Sequence, residues 1–85
     1  MRHQRQFGST DILREATQTR GLIADLDRIV QIIESDISSQ EDEARTSDRS
    51  HADYPLAARI LAARRDNLRD TIALLEQRLS RIDQE

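Results

Sequence analysis

The feature of this sequence that most constrains its fold is a series of positions, mostly aliphatic, spaced alternately by four and three residues. In the first half of the chain the series consists of Ile12, Ala16, Thr19, Ile23, Leu26, Val30, Ile33 and Ile37. A β-strand would need a period of two, which this segment lacks. A repeat of about 3.5 residues instead lines up its members on one side of an α-helix, as in a coiled coil. The pattern therefore predicts a long amphipathic helix over about residues 10–43, with Ser9 or Thr10 as its N-cap.

The weak point of this predicted helix is the stretch that ends at Gly21. Two β-branched residues, Thr17 and Thr19, precede the glycine, and a glycine inside a helix costs about 1 kcal/mol relative to alanine. The aliphatic series nevertheless keeps its phase across Gly21. We therefore expect one continuous helix, and the alternative is a break near this residue.

A second series with the same spacing follows in the second half of the chain. It consists of Ala58, Leu61, Arg65, Leu68, Ile72, Leu75, Leu79 and Ile82. A helix over about residues 54–83 is predicted, because a proline such as Pro55 is tolerated in a first helical turn. Residues 44–53 contain no large apolar side chain and are predicted to form a loop. Residues 1–9 are predicted to be a flexible N-terminal segment.

Two helices joined by a short loop predict an all-α protein, an antiparallel hairpin that forms a single domain over residues 10–85. With the middle of the loop near Arg49, paired positions have residue numbers that sum to about 98. We call the two series together the seam, because they should meet between the helices. The predicted core of the seam consists of Ile23, Leu26, Val30, Ile33, Ile37, Leu61, Leu68, Ile72, Leu75, Leu79 and Ile82.

Further large apolar residues lie outside the seam and predict a second interface. They include Leu22, Ile29, Ile32, Ile60 and Leu74. In a two-helix hairpin the seam residues stay partly wet, while ordering each residue costs on the order of 1.5 kcal/mol. The stability of a lone hairpin should therefore be marginal. We expect two hairpins to pair as a homodimer, a four-helix bundle. The alternative is that an unidentified helical protein covers these residues.

Arg65 is the one charged member of the seam, and it has two interpretations. A buried polar residue in a coiled coil can set the register or the choice of partner. An arginine can also lay its methylene groups on the core and extend its charged end into solvent, which we favour. In the predicted register Arg65 lies opposite Ile33, with Glu34 and Asp36 as its expected ion-pair partners.

Composition argues against most site chemistry. The chain has no cysteine, which excludes disulfides and thiolate ligands. Its only histidines, His3 and His51, lack neighbours at metal-ligand or catalytic spacing, and its only glycines, Gly8 and Gly21, form no phosphate cradle. No cofactor, metal or enzymatic activity is expected. No segment is apolar enough to cross a membrane, so we expect a cytoplasmic protein. All 13 basic residues are arginines, which suggests a GC-rich bacterial genome.

The sequence therefore favours a structural or protein–protein interaction module that acts through aliphatic seams. One alternative is a partner-binding regulator, such as a small chaperone or an antitoxin-like protein. The other is a nucleic-acid-associated protein that uses Arg59, Arg64 and Arg69. Nucleic acid is the less expected partner, because the net charge is −3 and an acidic segment should fold back beside these arginines.

Overall fold

The chain folds into a hairpin of two long helices. The computed structural model describes the backbone of residues 2–84 and the side chains of residues 10–82. Helix α1 spans Arg2–Ala44 and helix α2 spans Leu56–Gln84, and the two pack against each other. The predicted all-α hairpin is confirmed. At 1.5 Å per residue, α1 alone is about 65 Å long, which accounts for the 66 Å long axis of the molecule.

The start of α1 differs from the expected boundary. The helix begins at Arg2, whereas the sequence predicted a flexible segment over residues 1–9 and a cap at Ser9 or Thr10. Once a helix exists, each further residue adds one hydrogen bond at little cost. No proline interrupts residues 2–9. The helix therefore extends past the cap residues.

Helix α1 is also continuous across Gly21. The hydroxyl of Thr17 donates to the carbonyl of Leu13 at 2.9 Å, and that of Thr19 donates to the carbonyl of Glu15 at 2.8 Å. Both threonines thus satisfy their hydroxyls within the helix instead of competing with it. The expectation of an unbroken helix at this point agrees with the structure.

Helix α1 ends just before a residue with a left-handed backbone conformation. The Thr46 N–H donates to the Glu41 carbonyl at 3.1 Å, and the Arg45 N–H donates to the Asp42 carbonyl at 3.2 Å. This pair of bonds is a Schellman motif, which requires a left-handed residue at the position after the helix. That residue is Arg45, with φ of 58°. An arginine therefore occupies a position that favours glycine.

The loop between the helices is held by local hydrogen bonds. The Oδ1 atom of Asp48 accepts bonds from the Ser50 hydroxyl at 2.7 Å and from the Ser50 N–H at 2.9 Å. These two bonds lower the pKa of Asp48 below its ordinary value. The carbonyl of Pro55 then accepts the first helical bond of α2, from the Arg59 N–H at 3.3 Å.

The best-packed part of the core lies next to this loop. The buried cluster consists of Ile33, Ile37, Tyr54, Ala58 and Ala62, and Leu61 and Leu68 pack against it. Small alanines on α2 let the aliphatic side chains of α1 approach closely. Farther from the loop, the buried residues of α1 are Val30 and then the small Ala16 and Thr19, which lie at the level of the larger Leu79 and Ile82.

Candidate interaction surface

Apart from Ile12, which is 38% exposed, the seam residues lie where the two helices meet. Val30, Ile33 and Ile37 are buried. The other eight residues of the predicted core are half-buried: Ile23, Leu26, Leu61, Leu68, Ile72, Leu75, Leu79 and Ile82. Helix α1 and helix α2 thus cover each other along this line, but large aliphatic side chains keep contact with solvent along most of it.

Arg65 is largely covered, with a side chain only 15% exposed, and its Nε donates to Oδ1 of the adjacent Asp66 at 3.1 Å. The expected partners across the hairpin are not used. Glu34 instead pairs with Arg69, because Arg69 reaches the side of α1 on which Glu34 lies. The Arg65 side chain is thus largely covered, and its guanidinium is paired with an exposed residue of its own helix.

The five residues of the predicted second interface are all exposed. The exposed fraction is 66% for Leu74 and 39% for Ile29, and the others fall between these values. Single exposed aliphatic residues on a protein surface are common. What matters is whether these five residues lie on the same side of the hairpin.

The ion pair between Glu15 and Arg78 shows which residues of the two helices lie on the same side of the hairpin. Glu15 lies seven residues before Leu22, and Leu22 seven before Ile29, so all three share one side of α1. Arg78 lies four residues after Leu74 and shares its side of α2. The guanidinium of Arg78 binds Glu15, with Nε and Nη2 at 3.0 and 2.6 Å from Oε1. The aliphatic residues of the two helices therefore lie on the same side of the hairpin.

We call this surface the apolar side. It is formed by two stripes with steps of three and four residues. On α1 the stripe is Leu22, Asp25, Ile29, Ile32 and Asp36, and on α2 it is Ile60, Arg64, Asn67, Thr71, Leu74 and Arg78. Every residue of these two stripes is exposed.

The opposite surface, the polar side, is marked by the second ion pair, between Arg69 and Glu34. The same spacing adds Asp27, Gln31 and Ser38 on α1, and Asp66, Ala73 and Glu76 on α2. Leu13 is the one large exposed aliphatic residue with this spacing among the described side chains, and it lies near the open end of the hairpin. The two sides of the hairpin thus differ sharply in character.

The charges on the apolar side are separated between the helices. The α1 stripe carries Asp25 and Asp36, while the α2 stripe carries Arg64 and Arg78, of which Arg78 is paired with Glu15 within the hairpin. Among the residues whose side chains are described, no ion pair within 4.0 Å involves Asp25, Asp36 or Arg64. The apolar side therefore presents an acidic helix and a basic helix next to each other.

A third polar contact between the two halves of the hairpin, which the sequence did not predict, lies beside the loop. The Tyr54 hydroxyl donates to Oε2 of Glu41 at 2.9 Å, and Arg59 stacks over the Tyr54 ring at 5.3 Å from its centroid. Burial raises the pKa of the Tyr54 phenol above its ordinary value, and the Glu41 carboxylate raises it further. Nothing in the sequence singles out Glu41, within the acidic run Glu41-Asp42-Glu43, as the partner of Tyr54.

The three arginines of the proposed nucleic-acid surface do not form one patch. Arg69 binds Glu34 on the polar side, while Arg59 donates to the carbonyl of Arg49 and stacks on Tyr54. Arg64 lies on the apolar side. Each therefore faces a different environment, and two of the three have partners within the hairpin.

The rest of the described surface offers little for small-molecule chemistry. Two depressions are open to solvent, one lined by polar residues next to the loop and one by residues that include Arg49, Arg59 and Asp66. Within the described residues, no three acidic or histidine side chains are grouped so as to hold a metal ion. No described helix has the length and apolar character needed to span a membrane.

Comparison of the chain with protein-family models, with curated protein sequences and with solved structures finds no match.

Proposed function

We propose that this protein is a structural or protein–protein interaction module, a helical hairpin that presents its apolar side to a second protein chain, either another copy of itself or a different protein. The observation that supports this proposal is the contrast between the two sides of the hairpin. Five exposed large aliphatic residues share one side, whereas the described part of the other side carries one, Leu13, among mainly charged side chains. Grouped exposed aliphatic residues with a polar rim are typical of contact surfaces.

A regulator that binds one dedicated partner would use the same apolar side. It differs from a structural module in what occupies that side in the cell, so both functions can be examined with one experiment. A photo-crosslinking amino acid is placed at Leu74, on the apolar side, and in a second variant at Ala73, its neighbour on the polar side. Both residues are exposed, so neither replacement should disturb the hairpin.

The proposal expects covalent protein adducts from position 74 and few or none from position 73 when each variant is irradiated in cells of its source organism. An adduct with a second copy would indicate a self-assembling module, and an adduct with a different protein would indicate a partner-binding regulator. Equal labelling from both positions, or no protein adduct from position 74, would overturn the proposed function.

A further inference from the structure

The charge pattern of the apolar side is complementary to that of a second copy rotated by 180° to face it. Its α1 stripe is acidic and its α2 stripe is basic. A surface of this kind is self-complementary only if each helix meets the other kind of helix on the second copy. Two-fold symmetric dimers are the commonest oligomers, and their interfaces need such self-complementarity.

Two hairpins can stack side on side in two symmetric ways. A two-fold axis perpendicular to the helices places α1 on the partner's α1, which brings two acidic stripes together and two basic stripes together. An axis parallel to the helices places α1 on the partner's α2, which brings unlike stripes together. Like charges in contact disfavour the first arrangement, and opposite charges favour the second.

We infer that the apolar side is covered by a second copy of this chain, with α1 of each copy packed antiparallel on α2 of the other. The occupant is thereby identified, and so is the order of helices in the four-helix bundle. The inference rests on the proposed function, since it takes the apolar side as the contact surface. It adds the identity of the partner and the residues that meet.

The residues that meet follow from the register within the hairpin. The pairs that bond across it are Glu41 with Tyr54, Glu34 with Arg69, and Glu15 with Arg78. Their residue numbers sum to 95, 103 and 93, on both sides of the expected value of about 98. A two-fold axis parallel to the helices keeps each residue at the same position along the helix direction. The same sums therefore apply to residues that meet between the two copies.

By this register, Asp36 of one copy lies beside Arg64 of the other, and Leu22 lies beside Leu74. Symmetry makes each contact occur twice. Within one hairpin Asp36 and Arg64 are exposed, and no ion pair involves either of them among the described residues. In the dimer each gains a partner of opposite charge at the edge of an aliphatic contact.

The test uses two charge reversals that should fail separately and succeed together. Asp36→Arg puts a basic residue on the acidic stripe, and Arg64→Asp puts an acidic residue on the basic stripe. Each variant alone should dimerise more weakly than the wild type, with Kd raised on the order of 10-fold, because two attractive pairs become repulsive. An equimolar mixture should recover a dimer. In the mixed dimer the new arginine at position 36 faces the new aspartate at position 64, and the unchanged Arg64 and Asp36 face each other.

Sedimentation equilibrium over a concentration series measures these constants, and circular dichroism checks that each variant is still helical. Asp27→Arg is the matched control, because it makes the same charge change on the polar side and should leave Kd unchanged. Leu74→Glu should abolish the dimer, whereas Ala73→Glu should not.

Three results would overturn the inference. The wild type could remain monomeric at all concentrations, the mixture could dimerise no better than its weaker component, or Leu74→Glu could leave Kd unchanged. A monomeric wild type that still gives an adduct with a different protein from position 74 would overturn only the identity of the partner. The proposed function would then stand.

Discussion

The two ends of the hairpin are packed to different degrees. Beside the loop, Ile33, Ile37 and Tyr54 are each no more than 6% exposed and surround a fully buried Ala58. Toward the open end the buried seam positions are the small Ala16 and Thr19, and large residues such as Leu75 and Leu79 are half-buried. One hairpin therefore encloses large side chains only in the half of the molecule nearer the loop, as far as Val30.

This difference has a simple cause. Near the loop, Tyr54 lies across the ends of both helices and adds a third wall to the cluster, with Glu41 satisfying its hydroxyl. Farther from the loop than Val30 only two helices meet, and none of the large seam side chains described there is buried. The open end is the part of the molecule that would gain most from a second hairpin.

The largest expected effect comes from removing a well-enclosed side chain beside the loop. Ile37→Ala should lower the free energy of unfolding by about 3 kcal/mol, because truncating this side chain leaves a cavity in the buried cluster. Urea denaturation at one fixed protein concentration measures this loss. Asp70→Ala, on an exposed residue of α2, is the control and should change stability little.

The same kind of truncation at the open end should cost less. Leu75→Ala should lower the free energy of unfolding by about 1–2 kcal/mol at protein concentrations where the chain is monomeric, because Leu75 is only half-buried. Urea midpoints of the two variants give the comparison directly. A loss for Leu75→Ala as large as that for Ile37→Ala would show that the two ends are equally well packed.

Each end of the hairpin also carries a residue whose type is unfavourable for its backbone conformation. Arg45 has the left-handed conformation that glycine adopts without strain, and Gly21 occupies a helix interior where an added Cβ would meet no atom within 4 Å. Arg45→Gly and Gly21→Ala should each raise the free energy of unfolding by about 0.5–1 kcal/mol. Thermal melting measures both gains, and Gly21→Pro, which should break α1, is the opposing control.

The smallest expected effect is a pH dependence that arises only beside the loop. Because the pKa of Tyr54 is raised on folding, the folded chain keeps a proton that the unfolded chain loses above about pH 10. The stability that Tyr54 contributes should therefore be complete below that pH and be lost as pH rises through its folded pKa. Tyr54→Phe should remove this decline, measured as urea midpoints between about pH 8 and pH 11. Parallel pH profiles for the two proteins would contradict the assignment.

The sequence predicts the fold because the two series that form the seam are long and each keeps the same spacing throughout. A step of three and four residues needs no tertiary information to place Val30 or Leu68 on one side of a helix. It also predicts that the helix continues through Gly21. The start of α1 at Arg2 was not foreseen, because caps such as Ser9 and Thr10 indicate where a helix can begin but do not prevent it from starting earlier.

The sequence predicted which residues belong to the candidate surface, but not that they lie on the same side of the hairpin. Leu22, Ile29, Ile32, Ile60 and Leu74 stand out from the sequence as apolar positions off the seam. Their common side does not, because it depends on how each helix is rotated about its axis when the loop closes. The choice of Arg69 over Arg65 as the partner of Glu34 has the same origin.

The sequence by itself thus determined the local structure: two amphipathic helices, the loop between them, and the side of each helix that faces the other. Periodicity acts within a single helix, so it can be read along the chain. Only the tertiary structure decided which side chains from different helices lie together, as with Tyr54 and Glu41 or with Glu15 and Arg78. That outcome depends on register and rotation, which follow from packing two surfaces in three dimensions.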